Sequence, residues 1–213
     1  MVLLLAEVLD VPLRDRNDLL RAGGFEAKYP EPELDEILVG PLRQAVDVML
    51  AGHEPFPMVV VDRLYNVLLA NKSAMLLTAM FIEAGATETN LMRLLFAGDL
   101  ARQTITNWDD VASNMLCRLQ RELLHAPQDE ELRQLHDDLV DAPSTPAEWR
   151  TLDLADSAEP FLPIRMRLGD GTELAFLTTI TAFNAPHNVT LDEIRIESWF
   201  PSDEATTAWC QRD

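Results

Sequence analysis

Positive charge is what this sequence most lacks. Its 213 residues carry 17 Lys and Arg against 36 Asp and Glu, a formal net charge of −19. Affinity for nucleic acid depends on displacing counterions with cations, so this chain is not expected to grip phosphates by itself. The same balance disfavours an anionic membrane surface. Cysteine is nearly absent: Cys117 and Cys210 form no CxxC pair, which excludes a disulfide scaffold and fits two free thiols in a reducing cytosol. The apolar opening Met1–Leu9 contains Glu7 and has no basic flank, so it does not read as a signal peptide. No apolar run approaches the ~20 residues of a spanning helix. These absences together predict a cytoplasmic protein with no membrane contact.

Catalytic signatures are missing too. There is no GxGxxG after a strand, no GxxxxGK[ST] and no GxSxG. His53, His125, His136 and His187 fall in no metal-ligand spacing. The acidic runs Asp129-Glu130-Glu131 and Asp137-Asp138 lie on amphipathic helices and read as solvated faces rather than acid/base pairs. No catalytic residue, metal ligand or cofactor is predicted.

What is present is apolar patterning: 47% of residues are hydrophobic, enough for a core. Residues 1–22 read as two short helices. Leu4, Leu5, Val8 and Leu9 form a stripe on the first, and Asp10 is the expected cap of the second. The Pro-containing stretch 25–34 reads as a connector. A helix follows, with Ile37, Leu38, Leu42, Val46 and Leu50 in register and Gly52 closing it. The period then shifts to two. Met58–Val61 and Asn66–Ala70 read as a hairpin. A helix starts after Asn71, residues 83–89 read as a loop, and a short helix through Phe96 is capped by Asn90 or Thr89. Two longer helices are expected, one capped by Asn107 or Thr106 and the next at Asp129–Val140. The tail alternates as strands over Pro163–Leu168, Glu173–Phe183 and Leu191–Phe200, with Ser202 capping a last helix. Pattern alone gives an α+β fold with one sheet and helices on one side. Asn71, Thr178, Thr179 and Thr181 interrupt apolar strands, and two readings fit them. Strand-edge hydrogen bonding is the one the pattern favours. A polar anchor in an apolar pocket is the other.

Three stretches go beyond pattern. LAEVLDVPLRDRNDLLRAGGF (5–25) resembles the closing helices of the helix-turn-helix domain in bacterial regulators of the XRE type. VVVDRLYNVLLANKSA (59–74), NLMRLLF (90–96) and NWDDVASNMLCRLQREL (107–123) resemble the ligand-binding domain of MmyB-like transcription regulators, and VTLDEIRIESWFPSDEATTAW (189–209) is similar to its C-terminal end. The resemblance implies a PAS-like fold: a five-stranded antiparallel sheet packed against helices, preceded by short N-terminal helices. It divides the chain into a helix-turn-helix remnant (1–24), a linker and connecting helix (25–55) and a PAS-like ligand-binding domain (56–213).

The function implied is that of a sensory part of a transcriptional regulator. It would bind a small apolar or amphipathic molecule, lipid-like ones included, and act as a homodimer. DNA would be reached only through an N-terminal helix-turn-helix whose recognition helix these residues lack. A truncated product, a start site placed late and a natural regulator without its DNA reader all fit that departure. A dimerisation or protein-interaction module without a small ligand is the alternative function. The expected ligand-binding residues are Asn71 and Asn90 as polar determinants, with Leu94, Phe96, Met115, Phe176, Thr178, Ile180 and Ile196 on inward faces.

Overall fold

A computed structural model describes residues 1–81, 88–96, 99–147, 149, 162–184 and 186–212. Five strands, β1 (Met58–Val61), β2 (Val67–Ala70), β3 (Leu162–Arg167), β4 (Glu173–Ala182) and β5 (Arg195–Pro201), pair into one antiparallel sheet. Their order is β2-β1-β5-β4-β3. The described helices between β2 and β3 lie over one face, the layout expected from the PAS-like resemblance. The last strand in sequence is therefore the central one. Val60 pairs with Ile196 and Val59 with Glu197 on one side of β5, and Thr179 pairs with Ser198 on the other.

The front face carries α5 (Lys72–Thr78), α6 (Leu91–Phe96), α7 (Asp99–Thr104), α8 (Trp108–His125) and α9 (Glu130–Val140). Their inward stripes, among them Leu77, Met92, Phe96, Val111, Leu116, Leu119 and Leu135, bury against Ile164, Met166, Leu174 and Phe176 of the sheet. The Trp108 indole closes this core at one end. It donates to Leu95 O at 3.0 Å and stacks on Trp149 with ring centres 5.7 Å apart.

Helices cover the back face as well, so the one-sided arrangement read from the pattern needs correction. α4 (Gly40–His53) buries Val46 and Leu50 against Met58, Val60, Ile194 and Ile196. With cover on both faces, β1 is buried at all four positions. The helix expected over 35–50 is split into α3 (Leu34–Ile37) and α4. Pro41 cannot donate the backbone bond that continuation needs, and Gly40 takes φ +55° at the break. Gly52 falls inside α4 rather than closing it.

Capping decides the other differences. The strand expected from Leu191 starts only at Arg195, because Asn188 caps a short helix α10 (Val189–Glu193) by accepting from Leu191 N at 2.8 Å. The last helix, α11 (Glu204–Cys210), is capped by Asp203, which accepts from Thr206 N at 2.7 Å, and not by Ser202. Asn107 occupies the start of α8 but spends its side chain on β3, donating to Pro163 O at 2.8 Å and accepting from Arg165 N at 2.9 Å. The N-terminal pair forms as α1 (Val2–Val8) and α2 (Leu13–Ala22). Pro12 rather than Asp10 precedes α2, and Asp10 takes φ 51° in the tight turn between the helices. Residues 83–87 of the loop expected at 83–89 lie outside the described residues.

α10 ties these N-terminal elements to the sheet. Arg14 Nε donates to Glu193 Oε1 at 2.6 Å and its Nη2 to Oε2 at 3.0 Å, a two-pronged pair. Leu13 N donates to Asp192 Oδ2 at 2.9 Å. Val189 N reaches Pro30 O, also at 2.9 Å.

Candidate ligand-binding cavity

A cavity of about 410 Å³ opens between the front of the sheet and helices α5 to α8. That size lies at the low end of the range for small-molecule pockets. Its helical wall on α8 follows from spacing: Val111, Asn114, Met115, Arg118 and Arg121 recur every three or four residues and share one face. Leu77 and Thr78 of α5, and Leu91, Leu94 and Leu95 of α6, line another side. The floor is the sheet, where Val59, Thr178, Ile180, Glu197 and Trp199 alternate inward across β1, β4 and β5.

Four of the nine residues singled out from the sequence meet here: Leu94, Met115, Thr178 and Ile180. The other five stand elsewhere. Phe96 packs edge-on to Trp108 with ring centres 5.6 Å apart, and Phe176 packs edge-on to Trp199 at 5.7 Å, both within the core. Ile196 faces the back of the sheet and packs with Val46. Asn71 and Asn90 serve the backbone. Asn71 Oδ1 accepts from Met58 N at 3.0 Å and Ala74 N at 2.9 Å, and its Nδ2 donates to Phe56 O at 2.7 Å. Asn90 Oδ1 caps α6 by accepting from Arg93 N at 3.0 Å, while Nδ2 donates to Leu64 O at 2.6 Å.

The charged part of the cavity was not anticipated. Arg118 Nη1 lies 3.7 Å from Glu197 Oε1, and Arg118 Nε lies 3.5 Å from Glu122 Oε1 one turn along α8. Tyr65 Oη donates to that same Glu122 oxygen at 2.9 Å, and the Arg118 guanidinium lies 5.0 Å above the Tyr65 ring, a cation–π contact. Burial pushes the Glu197 carboxyl up, and this outweighs the pull of Arg118. Burial also works against charge on Arg118, but Tyr65, Glu197 and Glu122 together hold its pKa above the ordinary value. Tyr65 is held well up, by burial first and Glu122 second. Among the described residues, Glu197 Oε1 is buried without a hydrogen-bond partner.

Local spacing does not mark Glu197: it lies with Ile196 and Ser198 in the buried middle of β5, and that burial follows from the sheet order. Arg118 could have been found at seven residues from Val111, on the cavity side of α8.

Arg118 also borders a smaller groove of about 220 Å³ that is shared with α2 and α10 through Arg14, Asp15 and Glu193. Beside it, Arg63 binds Asp129 and Glu131 of the α9 end.

Comparison with known proteins places this geometry. The family model of the MmyB-like transcription regulator ligand binding domain matches residues 42–212. The chain belongs to this family. The MmyB-like match covers every strand and the whole cavity. The role of the domain is therefore regulatory ligand binding, and the family is not a known enzyme class. No curated protein matches the chain. Among solved structures, RsLOV D109G is similar at 13% identity and a TM-score of 0.32, covering 78% of this chain and 75% of that one. Among the described residues no helix is long and apolar enough to cross a membrane.

Proposed function

We propose that this MmyB-like domain binds a small, largely apolar molecule in the cavity between α8 and the sheet, and thereby adjusts DNA binding through an N-terminal helix-turn-helix. The observation that carries the reading is the cavity itself. Its walls are mostly aliphatic and aromatic, with polar groups gathered at Arg118 and Glu197. Leu94, Met115, Thr178 and Ile180 are the proposed contacts. A ligand shifts a two-state equilibrium only by its differential affinity for the two states. Here the link to the N-terminal helices runs from Glu197 along β5 to α10, where Asp192 and Glu193 hold α2. The protein is proposed to work in the cytoplasm as a homodimer.

The test is thermal unfolding and native mass spectrometry with medium-chain alkyl and aromatic amphiphiles. Ligand at a hundredfold excess over Kd stabilises by about 2.7 kcal/mol, a shift of roughly 5–10 °C for a chain of this size. Met115→Trp fills the cavity and should abolish the shift. No saturable shift with any amphiphile would overturn the reading. A dimerisation module without a ligand is the second reading. It draws on α4, where Val48 is 72% exposed and Met49 and Val39 are exposed beside it. A monomer in light scattering at micromolar concentration would remove it.

A further inference from the structure

The proposed cavity reading leaves the head of the ligand undefined, and one atom defines it. Glu197 stands on the central strand between Val59 on β1 and Ile180 on β4, its direct neighbours on the two ladders. All three line the cavity, so the carboxylate lies on the cavity floor. Its side chain is 9% exposed, and among the described residues Oε1 has no hydrogen-bond partner. Arg118 Nη1, at 3.7 Å, is beyond hydrogen-bond reach and is shared with Glu122. A buried acceptor in this condition calls for a donor.

The charges around it say which donor. Arg118 and Arg121 line the cavity with Glu197, and Glu122 holds Arg118 from the neighbouring groove. An ammonium head brought to Glu197 would lie against the Arg118 guanidinium. A carboxylate head brought to Arg118 would lie against Glu197. A neutral donor meets neither repulsion, while the aliphatic walls at Leu77, Leu94 and Met115 take its chain.

We propose that the cavity takes an uncharged amphiphile whose head donates a hydrogen bond, a hydroxyl in the simplest case, to Glu197 Oε1. This rests on the cavity reading, and the experiment separates the two. The probes are 1-decanol, decanoate and decylammonium, which share a chain and differ in the head. Decanol is titrated below its solubility limit and the two ions below their micellar concentrations, by calorimetry. The wild-type chain should bind decanol at least tenfold more tightly than either ion. In Glu197→Gln the carboxylate charge is gone and Arg118 is free to meet an anion, so the decanol-to-decanoate ratio should fall at least tenfold. Equal affinity for the three probes, a preference for either ion, or an unchanged ratio in Glu197→Gln overturns the head-group assignment while the cavity reading stands. No binding by any probe overturns both.

Discussion

Asn71→Ala should be among the most costly single substitutions in this chain. The Asn71 side chain joins three elements. It accepts from Met58 N at the start of β1 and from Ala74 N in the first turn of α5, and it donates to Phe56 O and, at 3.4 Å, to Leu50 O near the end of α4. The residue is 5% exposed, so water does not replace these partners easily. Losing a buried acceptor leaves each orphaned N–H unpaired at a cost of about 1–3 kcal/mol. Loss of the cap accounts for about 1 kcal/mol of that sum. With two donors orphaned and two carbonyls stripped, the total is about 3–5 kcal/mol. At ~2–4 °C per kcal/mol for a chain of this length, the midpoint should drop by roughly 6–20 °C. Asn71→Ser keeps a short acceptor for Ala74 N alone and should cost about half as much. Urea unfolding followed by circular dichroism measures both. A loss below about 1 kcal/mol for the alanine variant would refute the account of Asn71 as the joint of these elements.

Three further outcomes follow from the buried charges and the α10 contacts. Burial raises the Glu197 pKa in the folded state above its ordinary 4.5, so its stabilising effect is present at low pH and lost as pH rises through the folded value. Glu197→Gln should therefore gain stability relative to wild type as pH rises from 4.5 to neutrality, and parallel stability–pH curves would contradict this. Arg118→Met leaves Glu197 and Glu122 without their cation and should cost about 3 kcal/mol. The double variant Arg118→Met/Glu197→Gln should recover at least 1 kcal/mol of that in the same unfolding assay, since the residues are directly coupled. Arg14→Ala removes the two-pronged pair with Glu193 and should speed hydrogen exchange at α2 amides while the strands keep their protection. Uniform acceleration across the sheet would show that the contact is not local.

The strands and long helices were legible because their patterns are local. Alternation at Ile164, Met166 and Leu174, and three- to four-residue spacing along α8, depend only on which face is buried. The back-face helix was harder to place. Nothing in the spacing of Val46 and Leu50 says whether they cover the sheet's front or its back, since that depends on the sheet order. The start of β5 was misplaced for another reason: Asn188 offers a side-chain acceptor that outcompetes strand pairing for five residues. Asn71 reads as a polar residue ending an apolar strand and Asn90 as a helix cap, and both are buried. Sequence could not tell a side chain that binds backbone from one that faces a cavity, because both uses need the same amide. The cavity's charged pair escaped notice because Arg118 and Glu197 lie far apart in the chain. Each reads locally as a solvated position.

The sheet order also gives the proposed signal a route from the cavity to the N-terminal helices. β5 pairs with both β1 and β4, so it cannot shift without carrying the floor of the cavity. Immediately before it, α10 holds α2 through Asp192 and Glu193 and the connector through Val189 and Thr190, which reach Pro30 O and Pro32 O. Asn17 of α2 fastens the same connector from its other side. It accepts from Lys28 N and Tyr29 N at 3.0 Å and donates to Tyr29 O at 2.7 Å. Within residues 1–41, outside the family match, α2 and the connector are tied to α10 by charged and backbone bonds, while Leu34, Ile37 and Leu38 pack on the back core. Hydrogen bonds weaken steeply away from their preferred distance and angle, so they hold one geometry. In the proposed mechanism a displacement of Glu197 along β5 is passed through α10 to α2.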